Sequence, residues 1–270
     1  MTVAATRKLR IAALCCGVFP KHIEEQRGQF DNMFAAWIDA AVAARNAKRP
    51  TYDQVSAEVM GYDVVKKGQY PPSLDDVDVL VVSGSPASCY EDEPWIKKLA
   101  TYLRDVYVNK PAVKILGGCF GHQLLFQTLM ADHGGRVVKN PKGWEIGVHQ
   151  VDLTPEFSSH FPESLRDGKL SYQFLHQDVA SIDGPLPSGW VQLGKSDLCD
   201  VQGLFLPGRV LTFQGHPEFD KVSNGLCTKL LEGYGMIPGS RVEEFLKLVD
   251  REDSRTLAGE VAIEFFLSKP

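Results

Sequence analysis

The stretch Val113-Lys114-Ile115-Leu116-Gly117-Gly118-Cys119-Phe120-Gly121-His122-Gln123 decides the fold and holds the most informative side chain. Residues 113–116 predict a short buried strand, and a helical pattern begins at Gly121. The G-x-C-x-G turn between them is typical of a nucleophile elbow, in which a sharp strand-to-helix turn lifts one side chain above the sheet edge. A helix N-terminus also stabilises a thiolate. We therefore predict that Cys119 is a nucleophile, and a structural cysteine beside a tight turn is the alternative.

Outward from the elbow, short apolar runs alternate with amphipathic stretches. The pattern predicts strands at 9–15, 54–60, 77–82 and 113–116, and helices at 29–46, 94–108 and 121–131. Such β, α, β alternation is typical of an α/β fold with a mostly parallel sheet and helices on both faces.

The pattern changes between residues 135 and 213, where turn residues separate closely spaced strands. We predict strands at 148–153, 190–194, 201–206 and 209–213 that extend the same sheet in an antiparallel or mixed way. Helices are predicted at 222–234, 241–250 and 256–267. No repeat or linker divides the sequence, so we expect one domain over residues 1–270, with a core at about 10–220 and C-terminal helices at 221–270.

The composition excludes several classes of protein. The chain has 270 residues, of which 44% are hydrophobic and 23% charged, which suits a globular fold and excludes general disorder. With 29 basic and 34 acidic side chains the net charge is −5, which argues against a phosphate-binding nucleic-acid surface. No apolar run approaches the ~20 residues of a membrane span.

Cysteine usage favours a reduced compartment. The six cysteines are scattered and form no C-x-x-C pair, so the sequence predicts neither a disulfide scaffold nor a structural zinc site. We expect no metal, no cofactor and a cytoplasmic location. Arg7, Lys8 and Arg10 before the apolar run 11–19 leave a signal peptide as an alternative, although a first buried strand explains the run better.

A base for the predicted nucleophile follows the strand at 209–213. His216 precedes a proline and is therefore biased towards extended backbone, so that His216 and Glu218 project to the same side. Glu218 can then orient the imidazole of His216.

A small-residue turn, Ser83-Gly84-Ser85-Pro86, follows the strand at 77–82. Because the ends of parallel strands meet at one sheet edge, backbone N–H groups of Gly84 and Ser85 can lie beside Cys119. Together with the N–H of Phe120 they would form an oxyanion hole, although a plain strand-ending turn is the alternative.

The elbow, the Ser83-Gly84-Ser85-Pro86 turn and Gly215-His216-Pro217-Glu218-Phe219 together resemble the class I glutamine amidotransferase family. The resemblance covers roughly residues 10–220. It implies a flavodoxin-like three-layer α/β/α fold with a mixed, mostly parallel sheet, and thioester chemistry at a γ-glutamyl carbonyl. By this resemblance Cys119 attacks, His216 moves the proton to the leaving amine, and Glu218 orients His216.

The resemblance also implies contacts to the amino-acid end of a glutamyl group. Gln123 and the segment with Gln177 and Asp178 fall where relatives hold that end; a capping role for Gln123 and a turn role for Asp178 are the alternatives. Ser85 departs from the second glycine of many synthetase-linked members. Trp144 and Glu145 are candidates for the pocket edge.

The turn at 83–85, Glu93-Pro94-Trp95-Ile96 and the length look most like the γ-glutamyl peptidase branch, which cleaves glutathione-type conjugates. The first hypothesis is therefore a hydrolase of γ-glutamyl amide bonds in a small-molecule substrate. The second is a glutaminase subunit that delivers ammonia to a synthase partner, for which an exposed apolar patch at the site mouth is expected. The third is a non-catalytic regulatory homologue. None of the three involves a nucleic acid or a membrane.

Overall fold

The computed structural model describes residues 7–269. The strands are β1 (Arg7–Cys15), β2 (Val55–Asp63), β3 (Val79–Val82), β4 (Lys114–Gly118), β5 (Gly135–Lys139), β6 (Glu145–Leu153), β7 (Lys169–His176), β8 (Asp178–Ile182), β9 (Val191–Gln192), β10 (Gly194–Lys195), β11 (Leu204–Leu206) and β12 (Val210–Phe213). The helices are α1 (Lys21–Arg27), α2 (Phe30–Ala47), α3 (Pro94–Asn109), α4 (Phe120–Met130), α5 (Pro155–Ser159), α6 (Lys221–Gly233), α7 (Gly239–Val249) and α8 (Arg255–Leu267).

A seven-stranded sheet in the order β2-β1-β3-β4-β12-β11-β9 forms the centre of the fold. The first five strands are parallel, and β11 pairs antiparallel with both of its neighbours. The carboxyl ends of β1, β3, β4 and β12 therefore meet at one edge, which is where ligands bind in open α/β sheets.

Alternating side chains of β1 separate two apolar cores. Ile11 and Ala13 pack in a cluster with residues of α2 and α8, whereas Ala12 and Leu14 pack in a second cluster with residues of α3 and α4. Because successive residues of a strand face opposite sides of a sheet, the helices cover both faces. The prediction of a mostly parallel, three-layer α/β fold is confirmed.

The expectation that all strands between 135 and 213 extend this sheet is wrong. Only β9, β11 and β12 join it, whereas β6, β7 and β10 form an antiparallel sheet of their own and β5 pairs with β8. The reason is a third apolar cluster, in which Ile146 of β6 packs against Phe245 and Val249 of α7. Sequence spacing reveals such strands but not which helix covers them.

The last helix packs back against the first half of the chain. Trp37 of α2 donates a hydrogen bond to the Arg255 carbonyl oxygen (2.9 Å), and a Cβ at Gly259 would lie 2.6 Å from Ala41. This close approach supports the proposal that the C-terminal helices belong to one domain with the sheet. Within residues 7–269, no helix is long and apolar enough to cross a membrane.

Candidate active site

Cys119 lies in a strained turn between β4 and α4. Its φ is 48° and its ψ −107°, and it is the one non-glycine residue with positive φ among residues 7–269. Such a conformation is costly and is concentrated at functional sites. The flanking glycines make it attainable: a Cβ at Gly121 would overlap the carbonyl oxygen of Val82, and one at Gly117 would lie 2.8 Å from the Gly121 backbone. The elbow therefore depends on both glycines.

His216 and Glu218 lie beside this thiol, just beyond β12. The His216 N–H donates to the Gln173 carbonyl oxygen (2.7 Å), which holds the turn, and His216 Nδ1 lies 2.8 Å from Glu218 Oε1. Both side chains are buried. With Nδ1–H donating to the carboxylate, Nε2 is the nitrogen that remains for the thiol of Cys119.

The charges around His216 favour its protonated form. Burial alone would lower the pKa of His216, but the charges of Cys119 and Glu218 and their hydrogen bonds to the imidazole raise it to about 10. At neutral pH the surroundings therefore favour an imidazolium next to the thiol.

The Ser83-Gly84-Ser85 turn packs directly against the imidazole. A Cβ at Gly84 would lie 2.6 Å from His216 Cε1, so only glycine fits there. Ser83 Oγ donates to the Gly84 carbonyl oxygen (2.9 Å) and accepts from the Cys16 N–H (2.8 Å). Because C=O and N–H point in opposite directions across a trans peptide, Ser83 fixes the direction of the Ser85 N–H.

The other predicted oxyanion donor is the N–H of Phe120. Phe120 is the first residue of α4, so its N–H has no acceptor within the helix. Both Ser85 and Cys119 line the same cavity of about 290 Å³.

Gln123, Gln177 and Asp178 also line this cavity. Asp178 Oδ1 accepts from Tyr90 Oη (3.0 Å) and Oδ2 accepts from Ser88 Oγ, so two hydroxyl groups hold the carboxylate in place. Gln123 Nε2 donates to the Asp178 carbonyl oxygen (2.8 Å). Gln123 therefore positions the Asp178 segment, and its Oε1 is the atom that it can offer to a ligand.

A second buried histidine–carboxylate pair holds the same segment. His176 Nδ1 lies 3.0 Å from the Asp178 carbonyl oxygen, and Nε2 lies 2.8 Å from Glu145 Oε2. Glu145 also accepts from Ser196 Oγ and from Gln202 Nε2. Although burial opposes the charged form, the hydrogen bonds from His176 and Ser196 and the charge of His176 lower the pKa of Glu145.

The sequence did not reveal this pair. Trp144 lines the cavity as expected. Glu145 is fully buried and does not line the cavity, but it is hydrogen-bonded to His176, which does. A carbonyl oxygen and a carboxyl group flank the two ring nitrogens of His176, so both nitrogens have a hydrogen-bond partner. The sequence signal for this pair was an acidic residue, Glu145, directly after Gly143-Trp144. Its partner His176 lies 31 residues further along the chain, so the sequence did not connect the two.

Burial shifts the pKa values of the other five thiols. Burial raises the pKa of Cys15 to about 11 and the pKa values of Cys89, Cys199 and Cys227 to about 12. The pKa of Cys16 is raised further for the same reason. Cys227 is notable because it lines the cavity, which the sequence did not indicate. Within the described residues, no group of three or more His, Cys, Asp and Glu side chains could hold a metal ion.

Known proteins resemble this chain in sequence and in fold. The family profile "Glutamine amidotransferase class-I" matches residues 38–226. A glutamine amidotransferase-like protein of Schizosaccharomyces pombe is 33% identical over 209 residues, which cover 76% of this chain and 80% of the relative. Gamma-glutamyl peptidase 3 of Arabidopsis thaliana is 30% identical over 176 residues, which cover 61% of this chain and 67% of the relative.

The fold is shared with solved structures at lower identity. A glutamine amidotransferase from Thermotoga maritima superposes with a TM-score of 0.64 at 20% identity, over 96% of this chain and 99% of that one. The profile match agrees with the Cys119 elbow, with the order of the motifs along the chain and with the sheet topology. The chain belongs to the class I glutamine amidotransferase family.

Proposed function

We propose that this protein is a cysteine-dependent hydrolase that cleaves γ-glutamyl amide bonds of glutathione or glutathione conjugates through a γ-glutamyl thioester. The observation that carries the proposal is the strained elbow of Cys119 next to the buried His216–Glu218 pair, at the wall of a cavity. The similarity to gamma-glutamyl peptidase 3 supports the same reaction class.

In the proposed reaction, Cys119 Sγ attacks the γ-carbonyl carbon and forms a C–S bond. The N–H groups of Ser85 and Phe120 stabilise the resulting oxyanion. His216 then gives its Nε2 proton to the leaving nitrogen as the C–N bond breaks, and the free amine departs. Glu218 holds the imidazole through Nδ1 in both steps.

Water completes the turnover. Neutral His216 takes a proton from the water as its oxygen attacks the thioester carbonyl. The C–S bond then breaks, which releases glutamate and restores the thiolate and the imidazolium. Asp178 is proposed to pair with the substrate ammonium, and Gln123 and Gln177 to contact the same amino-acid end.

The experiment is mass-spectrometric detection of free glutamate from glutamine, glutathione and a glutathione S-conjugate, with Cys119→Ala as the blank. We expect release from glutathione or its conjugate by the wild type and none by Cys119→Ala. Cys227→Ser is the matched control, because this second thiol lines the cavity yet has no proposed role. Full activity in Cys119→Ala would exclude the thioester mechanism.

A glutaminase subunit is the second candidate, and apolar side chains exposed at the cavity mouth, such as Tyr234 and Met236, favour it. Glutamate release from glutamine alone, or only after a synthase partner is added, would support it. The cytoplasmic location remains a prediction.

A further inference from the structure

Two chemically different sets of residues line the cavity. The polar side holds Gln123, Lys139, Gln177 and Asp178. A second set of lining residues, here called the leaving-group wall, consists of Val18, Phe19, Phe219, Leu231, Tyr234 and Met236, from the loop before α1 and from α6 and its flanks. We propose that this wall binds an apolar or aromatic side chain on the amine released from the γ-glutamyl group. The inference rests on the proposed function.

His216 fixes which side the leaving amine occupies. The proton of its imidazole goes to the leaving nitrogen, so that nitrogen must lie beside the ring. The ring stacks on Phe219, with 4.1 Å between centroids and 13° between planes. The ring centroids of Phe19 and Phe219 are 6.1 Å apart, so aromatic side chains continue from His216 into the wall. A substituent on that nitrogen therefore starts at the edge of the imidazole and can extend along the aromatic side chains of the wall.

Charge separates the two sides in the same way. Asp178 and Lys139 are direct partners in the β5–β8 ladder, so both charges belong to the side proposed for the ammonium and carboxylate of the glutamyl group. The leaving-group wall has no Lys, Arg, Asp or Glu among its members. An uncharged, apolar substituent is the chemistry that such a wall recognises.

Exposed apolar surface is concentrated at this mouth. Seven large hydrophobic side chains are exposed within residues 7–269, and four of them, Val18, Tyr90, Tyr234 and Met236, line the cavity. Tyr234 is 66% exposed and Met236 45%. Soluble proteins seldom expose clustered apolar side chains without a ligand or partner to cover them. A bulky apolar substituent on the amine would cover Val18, Tyr234 and Met236, the three that belong to the leaving-group wall.

The test compares kcat/KM for γ-glutamyl-glycine, γ-glutamyl-leucine and γ-glutamyl-phenylalanine, with glutamine alongside. Since burial of a side chain in an apolar pocket discriminates by about tenfold or more, we expect phenylalanine and leucine to exceed glycine by at least that factor. Tyr234→Ser should reduce the phenylalanine-to-glycine ratio by about threefold to tenfold. Tyr52→Ser is the matched control, because Tyr52 is 79% exposed and lies outside the cavity.

Each outcome bears on a separate claim. Equal kcat/KM for the three dipeptides, or a ratio unchanged in Tyr234→Ser, would overturn the inference and leave the proposed function standing. Turnover of glutamine alone, and only with a synthase partner, would overturn it as well, since the wall would then be a docking surface. If no substrate is hydrolysed, the proposed function fails. Calorimetric titration of Cys119→Ala with the dipeptides then decides whether the wall still prefers phenylalanine to glycine.

Discussion

Gly84 and His216 are in such close contact that a single methyl group at Gly84 would lie 2.6 Å from Cε1 of the imidazole. The β3–α3 turn and the turn after β12 are thus fitted to one another at the sheet edge. The position of the imidazole depends on the missing side chain of residue 84.

We expect Gly84→Ala to displace the imidazole and to lower kcat/KM by about 100-fold, since a misplacement of about 1 Å in a catalytic group has that effect. Steady-state hydrolysis of a γ-glutamyl substrate measures the loss. The control is Gly233→Ala, because a Cβ there meets no atom within 4 Å and the backbone of Gly233 is not left-handed. Unchanged turnover in Gly84→Ala would contradict the proposed role of His216.

Ser83→Ala should release the Gly84–Ser85 peptide from its fixed direction. Loss of the proposed oxyanion donor, the Ser85 N–H, should lower kcat by about tenfold to 100-fold with a small change in KM. The Cys16 N–H also loses its acceptor, which should cost about 1–3 kcal/mol in the free energy of unfolding. An altered KM with unchanged kcat would instead indicate that the Ser85 N–H does not face the oxyanion.

The Glu145–His176 pair should contribute to stability in a pH-dependent way. The pKa of Glu145 is lowered in the folded protein, so its contribution is fully present above the unfolded pKa of about 4.3 and is lost as pH falls through the folded value. Urea unfolding of Glu145→Gln should therefore give a lower free energy of unfolding at neutral pH. That free energy should also fall less steeply than in the wild type as the pH is lowered. Glu252→Gln, at an exposed position after α7, is the control. If the free energy of unfolding falls equally steeply with decreasing pH in Glu145→Gln and in the wild type, the Glu145 carboxylate does not contribute to stability in this way.

The pH profile of turnover should extend far to the alkaline side. Because Cys119 and Glu218 raise the pKa of His216 to about 10, the imidazolium that we propose as the proton donor to the leaving nitrogen should persist up to that pH. We expect kcat/KM to fall as pH rises through about 10. Glu218→Gln removes one of the two charges that raise the pKa of His216. The fall of kcat/KM at alkaline pH should therefore begin at a lower pH in this variant. If kcat/KM falls at the same alkaline pH in Glu218→Gln as in the wild type, a group other than His216 causes the fall.

A chloroketone analogue of glutamine should alkylate Cys119 alone. Cys227 is the stringent competitor, because it lines the same cavity but burial raises its pKa to about 12. Peptide mapping at neutral pH identifies the labelled thiol, and Cys227→Ser should label like the wild type. Labelling of Cys227 or Cys89 first would mean that the nucleophile is another thiol.

The elbow could be predicted from the sequence because its determinants are local. Strand, glycine, cysteine, glycine and helix lie within eleven consecutive residues, and each part has its own pattern. The antiparallel region was predicted less well. Strands β6 and β7 have ordinary alternation, but their separation from the central sheet depends on α7, about a hundred residues further along the chain.

The amino-acid sequence by itself determined the α/β alternation, the Cys119 elbow and the order in which Ser83–Pro86 and His216–Glu218 follow their strands. These features depend on backbone propensities and glycine sterics over a few residues. Only the tertiary structure decided that Glu145 holds His176, that Ser83 fixes the Gly84 carbonyl, and that the loop before α1 and the residues flanking α6 line one cavity. Each of these contacts joins buried or clustered side chains from distant segments, and packing of the two cores brings them together.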